Sequence, residues 1–279
     1  MNEPVPSNHD LRAICERLAL GGGRIAREGR ERMSATGRFD RSTKSTVTDL
    51  VTEYDRAAEA HIVDQLRLIR PDDGILGEEG TADSGSTGLT WIIDPIDGTT
   101  NFVYDQPAWS CSVAVDHDGV TLAGAVAVPP LDELYSAALG AGATRNGEPI
   151  RASQCTDLGL ALAGTGFSYD RERRRHQAAI IAALIGDVRD IRRLGSAAVD
   201  LCMVACGRLD LYFERHLNAW DIAAGLLIAR EAGAVASDYS GGVAAPAELL
   251  VAGPALHQRA SETLSAIAST PDAPGTVSG

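Results

Sequence analysis

Between Ser110 and Ile150 the chain offers a row of short β-rich runs, and that row most narrows what the whole can become. Ser110 to Val115, Val120 to Val128 and Glu133 to Ala138 are separated by Asp118-Gly119 and Pro129-Pro130. Ala143 to Ile150 contains Asn146-Gly147, a strong signal for a tight hairpin. Strands joined by such short turns pair antiparallel, because a parallel neighbour needs a long crossover. Helical periodicity precedes them. Leu11, Ile14, Leu18 and Ile25 mark Asp10 to Arg32, although Gly21-Gly22-Gly23 weakens that helix. Ala58, Ile62, Val63, Leu66 and Ile69 mark a second helix from Thr52 to Ile69. Beyond Ile150 strands and helices mix: strands at Ala161–Thr165, Asp210–Glu214 and Leu249–Ala252, helices at Arg171–Ile185, Ser196–Cys206, Ile222–Ala232 and 255–268. Helices, then antiparallel strands, then a mixture exclude a simple doubly wound parallel sheet and leave a layered α+β fold.

A chain of 279 residues can form one large domain or two that share a core. The expectation is a single unit from 9 to 268, in halves that meet near 150, with loose ends at 1–8 and 269–279. The net charge of −13 disfavours a phosphate backbone as main partner, so no direct nucleic-acid binding is expected. There is no run of 18 apolar residues and no basic-then-apolar leader, so no membrane partner and a cytoplasmic location are expected. Five cysteines, with Cys202 and Cys206 four apart, read as buried thiols rather than a disulfide framework.

The chemistry concentrates in Trp91 to Phe102. An apolar run delivers Asp94, and Pro95 is expected to stop the strand. Asp97 follows, then Gly98-Thr99-Thr100. Two carboxylates across a tight turn can converge on one point, where their repulsion calls for a divalent cation. With oxygen donors and no nearby His or Cys, that cation is magnesium rather than zinc. The Gly98 and Thr99 N–H groups, at a turn or helix start, suit a phosphate. Taken alone, the two aspartates serve equally well as turn and cap residues. Asp221, directly before Ile222–Ala232, is expected at a helix N-cap.

Asp94-Pro95-Ile96-Asp97-Gly98-Thr99-Thr100-Asn101-Phe102 resembles the signature of the inositol monophosphatases. Gly77-Glu78-Glu79 and Trp220-Asp221-Ile222-Ala223-Ala224-Gly225 resemble that family's two other motifs, in its order, with the likeness running from about Lys44 to about Gly253. The resemblance implies the sugar-phosphatase fold of stacked α-β-α-β-α layers. It implies magnesium-dependent hydrolysis of inositol-1-phosphate, two to three Mg2+ ions per site, lithium sensitivity and a homodimer. Other small phosphate esters (histidinol phosphate, fructose-1,6-bisphosphate, a nucleotide 3′-phosphate) and a regulatory role in transcription or ribosome assembly are its alternatives. By the same resemblance, Glu78, Asp94 and the Ile96 carbonyl hold the first ion, and Asp94, Asp97 and Asp221 the second. Glu78 and Thr99 orient and deprotonate the attacking water, with Asp55 hydrogen-bonded to the threonine. Gly98 and Thr99 hold the phosphate, Glu214 and Asp221 meet the polyol, and Lys44 lies near the site. Asn218 stands where animal members carry His. From the residues alone, Lys44 reads equally as a solvated charge, Glu79 as a solvent-facing carboxylate, and Arg171 to Arg175 as an exposed helical face or a contact for a phosphate or partner.

Overall fold

The computed structural model describes residues 6–36 and 53–269. Eight strands form the first sheet: β1 (Gly74–Gly77), β2 (Ala82–Asp83), β3 (Leu89–Asp97), β4 (Ser110–His117), β5 (Val120–Val128), β6 (Glu133–Ala138), β7 (Ala143–Arg145) and β8 (Glu148–Pro149). Their spatial order is β2-β1-β3-β4-β5-β6-β7-β8, and only β1 and β3 run parallel. The antiparallel meander expected from the turn signals is therefore present. At the β7–β8 turn both Asn146 and Gly147 take positive φ, 50° and 82°, as a two-residue hairpin requires.

A second sheet has the order β10-β9-β11-β13-β12 and uses β9 (Leu162–Thr165), β10 (Asp190–Arg192), β11 (Leu211–Arg215), β12 (Val235–Ser237) and β13 (Glu248–Ala252). Seven α-helices complete the described residues: α1 (Asn8–Thr36), α2 (Glu53–Ile69), α3 (Thr99–Val103), α4 (Arg171–Leu184), α5 (Ala197–Ala205), α6 (Ala219–Glu231) and α7 (His257–Ala268). Asn8 already belongs to α1, within the segment expected to be loose.

Period-two alternation sorts these elements into layers. Cys111, Val113 and Val115 of β4 point to Leu11, Leu18, Ile62 and Leu66 of α1 and α2. Ala114 faces the other way, toward α5 and α6. Across those helices lie Tyr212, Leu249 and Val251 of the second sheet. Leu211, Phe213, Leu250 and Ala252 face α4 and α7 beyond. The result is α-β-α-β-α, with α5 and α6 sandwiched. All of α5 is buried, and of α6 only Arg230 is exposed. Each fully buried Leu or Ile in these cores contributes about 1.5–3 kcal/mol relative to exposure.

The glycine triplet does not interrupt α1. A Cβ on Gly22 would stand 2.7 Å from Cys111 Sγ and 2.8 Å from Ile62 Cδ1. The missing side chain lets α1 lie close on β4 and α2, and that packing offsets a helix-propensity cost of about 1 kcal/mol per glycine.

Candidate active site

Pro95 does not stop β3, which continues to Asp97. Pairing with β1 already ends at Ile93, so on that side no ladder bond is lost. On the other side Asp94 faces Ser112 and Asp97 faces Ser110, one extra residue in β3. That bulge decides the chemistry. Residues three apart on a regular strand point to opposite faces, and one inserted residue returns them to the same face.

The strand then breaks at Gly98, whose φ of 92° suits glycine. A Cβ there would also stand 2.9 Å from the Ala108 carbonyl. α3 begins immediately, and its Asn101 side chain donates to the carbonyls of Ala108 (2.5 Å) and Leu194 (2.7 Å). One amide thus ties the β3–α3 turn to the second half of the chain.

Asp221 arrives from that second half. Asn218, not Asp221, is the N-cap of α6, because the helix starts three residues earlier than its apolar pattern suggests. Asp221 sits in the first turn and accepts from the Asn218 N–H at 2.6 Å, the return arm of a capping box. Carboxylate oxygens of Asp94, Asp97 and Asp221 lie within 4.8 Å of one another. Asp97 is held by the Ser196 hydroxyl (2.6 Å) and the Ala198 N–H (2.7 Å) at the start of α5. Asp94 is 1% exposed, and its Oδ1 has no hydrogen-bond partner among the described residues.

Glu78 stands at the cleft mouth, exposed as a residue, and lines the same cleft as Asp94. The crowding is electrostatically costly. Loss of water around the carboxyl, then Asp221, Asp97 and Asp55, push Glu78 up to about 8. Burial, then Glu78, Asp97 and Asp221, hold Asp94 well above the usual carboxylate range. Burial, then Asp221, raise Asp97 to about 7. Burial alone lifts Asp221 to about 6. An all-oxygen donor set with an unpartnered buried oxygen at its centre fits a hard divalent cation, which would relieve this repulsion.

Around the acids, Thr99 Oγ1 lies 3.1 Å from the Ile96 carbonyl and 3.4 Å from Asp55, a long contact. Glu214 lines the same cleft, and the Tyr212 hydroxyl donates to it at 2.5 Å. Burial raises Glu214 to about 7 despite the Tyr212 bond. Glu79 points away from the cluster to Arg56, at 3.6 Å. Lys44 lies outside the described residues.

Sequence reasoning missed Glu59, whose carboxylate accepts from the Glu79 N–H (2.8 Å), the Thr81 N–H (3.2 Å) and the Thr81 hydroxyl (2.6 Å). It thereby shapes the turn that carries Glu78. Ser196, Arg193 and Asp200 line the cleft and were also missed. Ser196 as the cap of α5 was readable; its reach to Asp97, 99 positions back, was not.

Known proteins resemble the chain along most of its length. A model of the inositol monophosphatase family matches residues 7–270. An inositol-1-monophosphatase of Mycobacterium leprae is 46% identical over 246 residues, covering 82% of this chain and 84% of its own length. A protein of Pasteurella multocida named Nus factor SuhB is 41% identical over 231 residues, covering 82% and 85%. The solved structure of Mycobacterium tuberculosis SuhB matches with a TM-score of 0.81 at 38% identity, over 94% of this chain and 98% of that one. With three motifs converging on one acidic cleft and a family match along nearly its whole length, the chain belongs to the inositol monophosphatase family.

Proposed function

We propose that the protein hydrolyses inositol-1-phosphate to inositol and phosphate in a magnesium-dependent reaction. The observation that carries this is the carboxylate triad of Asp94, Asp97 and Asp221, within 4.8 Å, in the same cleft as Glu214. Asp94, Asp97 and Asp221 would hold one Mg2+, and Glu78, Asp94 and the Ile96 carbonyl another, with a third ion at Glu78. Bound there, magnesium would neutralise the ester oxygens, lower the pKa of a water and support the leaving alkoxide. The chain's own groups do the rest. Thr99 offers its hydroxyl proton to the Ile96 carbonyl or Asp55, which leaves its lone pairs to accept from the attacking water. Glu78 takes that water's proton. The Gly98 and Thr99 N–H groups hold the phosphate for in-line attack, so no phosphoenzyme forms. Glu214, steadied by Tyr212, accepts from ring hydroxyls, and Asp221 meets the polyol beside it. Lithium inhibition and a homodimer belong to the same reading.

The test is magnesium-dependent phosphate release from inositol-1-phosphate, fructose-1,6-bisphosphate, histidinol phosphate and adenosine 3′,5′-bisphosphate. Preference for the inositol ester supports the reading. Preference for another ester keeps the site and changes the substrate. A second reading, a regulatory role, is favoured by the relatives that bear the name Nus factor SuhB and by the exposed arginines of α4. It predicts that Asp94→Asn abolishes hydrolysis and leaves the cellular phenotype of the wild type intact.

A further inference from the structure

The cleft contains a second buried acid for which the mechanism above has no use. Asp200 is 1% exposed, lines the cleft, and its Oδ1 has no hydrogen-bond partner among the described residues. An acid in the first turn of a helix is ordinarily explained as a cap. Here that explanation fails, because the turn is satisfied by others. Ala198 N–H goes to Asp97, Val199 N–H to the Ser196 hydroxyl, and Asp200 N–H to the Ser196 carbonyl. A buried carboxyl with an unused oxygen costs stability unless a partner arrives.

The backbone beneath makes room for it. Gly164 lies in β9 and Gly166 just beyond its end, and both back onto acids of the cleft. A Cβ on Gly164 would stand 3.0 Å from Asp200 Oδ1, and one on Gly166 would collide with the Glu214 carboxylate. Two absent side chains thus seat two carboxyls side by side on one wall. Arg193, on the cleft rim, opposes their charge.

We infer that Asp200 is a specificity-determining residue, which with Glu214 forms a polar wall that takes the hydroxyls of a polyol phosphate. The inference rests on the phosphatase reading above and deepens it. Burial, then Glu214 and Asp97, hold the Asp200 carboxyl well above the usual range, against Arg193. A neutral carboxylic acid donates through one oxygen and accepts through the other, which matches the dual character of a sugar hydroxyl.

The experiment measures kcat/KM with magnesium for inositol-1-phosphate and for p-nitrophenyl phosphate, which has no ring hydroxyls. It compares the wild type, Asp200→Ala and Asp200→Asn. Truncation to alanine is expected to cut the wild-type preference for the inositol ester by about tenfold or more, chiefly through KM. Asparagine, which also donates and accepts, is expected to keep the preference within about threefold. The inference is overturned if Asp200→Ala retains the preference, or loses both activities equally. Should Asp200→Ala not fold, Asp200→Leu, which can neither donate nor accept a hydrogen bond, gives the same readout. A wild type with no preference for the inositol ester overturns the substrate reading itself, and the wall with it.

Discussion

The β3–α3 turn and the wall opposite it build one cleft by different means. On the first side Asp94, Ile96, Asp97, Gly98 and Thr99 fall within six consecutive positions, and a single bulge turns both carboxylates inward. On the second side Ser196, Asp200, Glu214 and Asp221 come from a strand and the first turns of two buried helices. The first side fixes its carboxylates through one strand bulge and the turn at Gly98. The second adds Asp221 to the carboxylate triad and, on the reading proposed above, would face the polyol through Glu214. The sides are not independent, since the Ser196 hydroxyl and the Ala198 N–H of the second hold Asp97 of the first.

The largest effect tests the first side. Asp94→Asn alters the carboxylate proposed to serve both ions, so turnover should fall by about three orders of magnitude or more; a variant keeping more than about a tenth of the wild-type rate, a loss of only ~1.4 kcal/mol, contradicts the site. Glu214→Ala should cost about 10- to 100-fold in kcat/KM for inositol-1-phosphate and much less for p-nitrophenyl phosphate. Equal losses on both esters would erase the division of labour. Asn101→Ala removes the amide that joins the two sides and strands the Ala108 and Leu194 carbonyls. Thermal unfolding should show a loss of about 1–3 kcal/mol, and an unchanged Tm would mean the sides do not need that tie.

The smallest effect is a pH trend. Glu78, Asp97 and Asp221 are raised to about 8, 7 and 6, above their unfolded values. The folded protein therefore binds more protons than the unfolded chain. Their stabilisation is complete below about pH 4 and is lost as pH rises through 6–8. Metal-free protein should melt lower near the top of that window than at its foot. Magnesium at about 100 times its Kd should restore about 2.7 kcal/mol, or roughly 5–10 °C. A flat Tm, or a magnesium effect confined to low pH, would count against the carboxylate cluster.

What was legible in the sequence follows the same divide. The meander, most helices and the acidic turn were readable because each is written in neighbouring residues. Pro95 misleads, since the proline rule assumes a ladder on both sides and β3 has no β1 partner beyond Ile93. Asp221 was placed at a cap because the apolar pattern of α6 begins after its true start at Ala219. β10 and β12 are three-residue strands whose pairing, not composition, defines them. Asp200 carried no local signal. It reads as an ordinary acid in a helix start until Gly164 and Glu214 are seen beside it.

Calorimetric titration of magnesium into the metal-free protein, with Asp97→Asn and Asp221→Asn alongside and phosphate release followed in parallel, addresses the central claim most directly. If the two sides share one cation site, the wild type binds magnesium, and each variant loses about tenfold or more in affinity along with its hydrolysis of inositol-1-phosphate. Wild-type hydrolysis that persists after chelation, or an Asp221→Asn variant that binds magnesium as tightly as the wild type, would contradict the account.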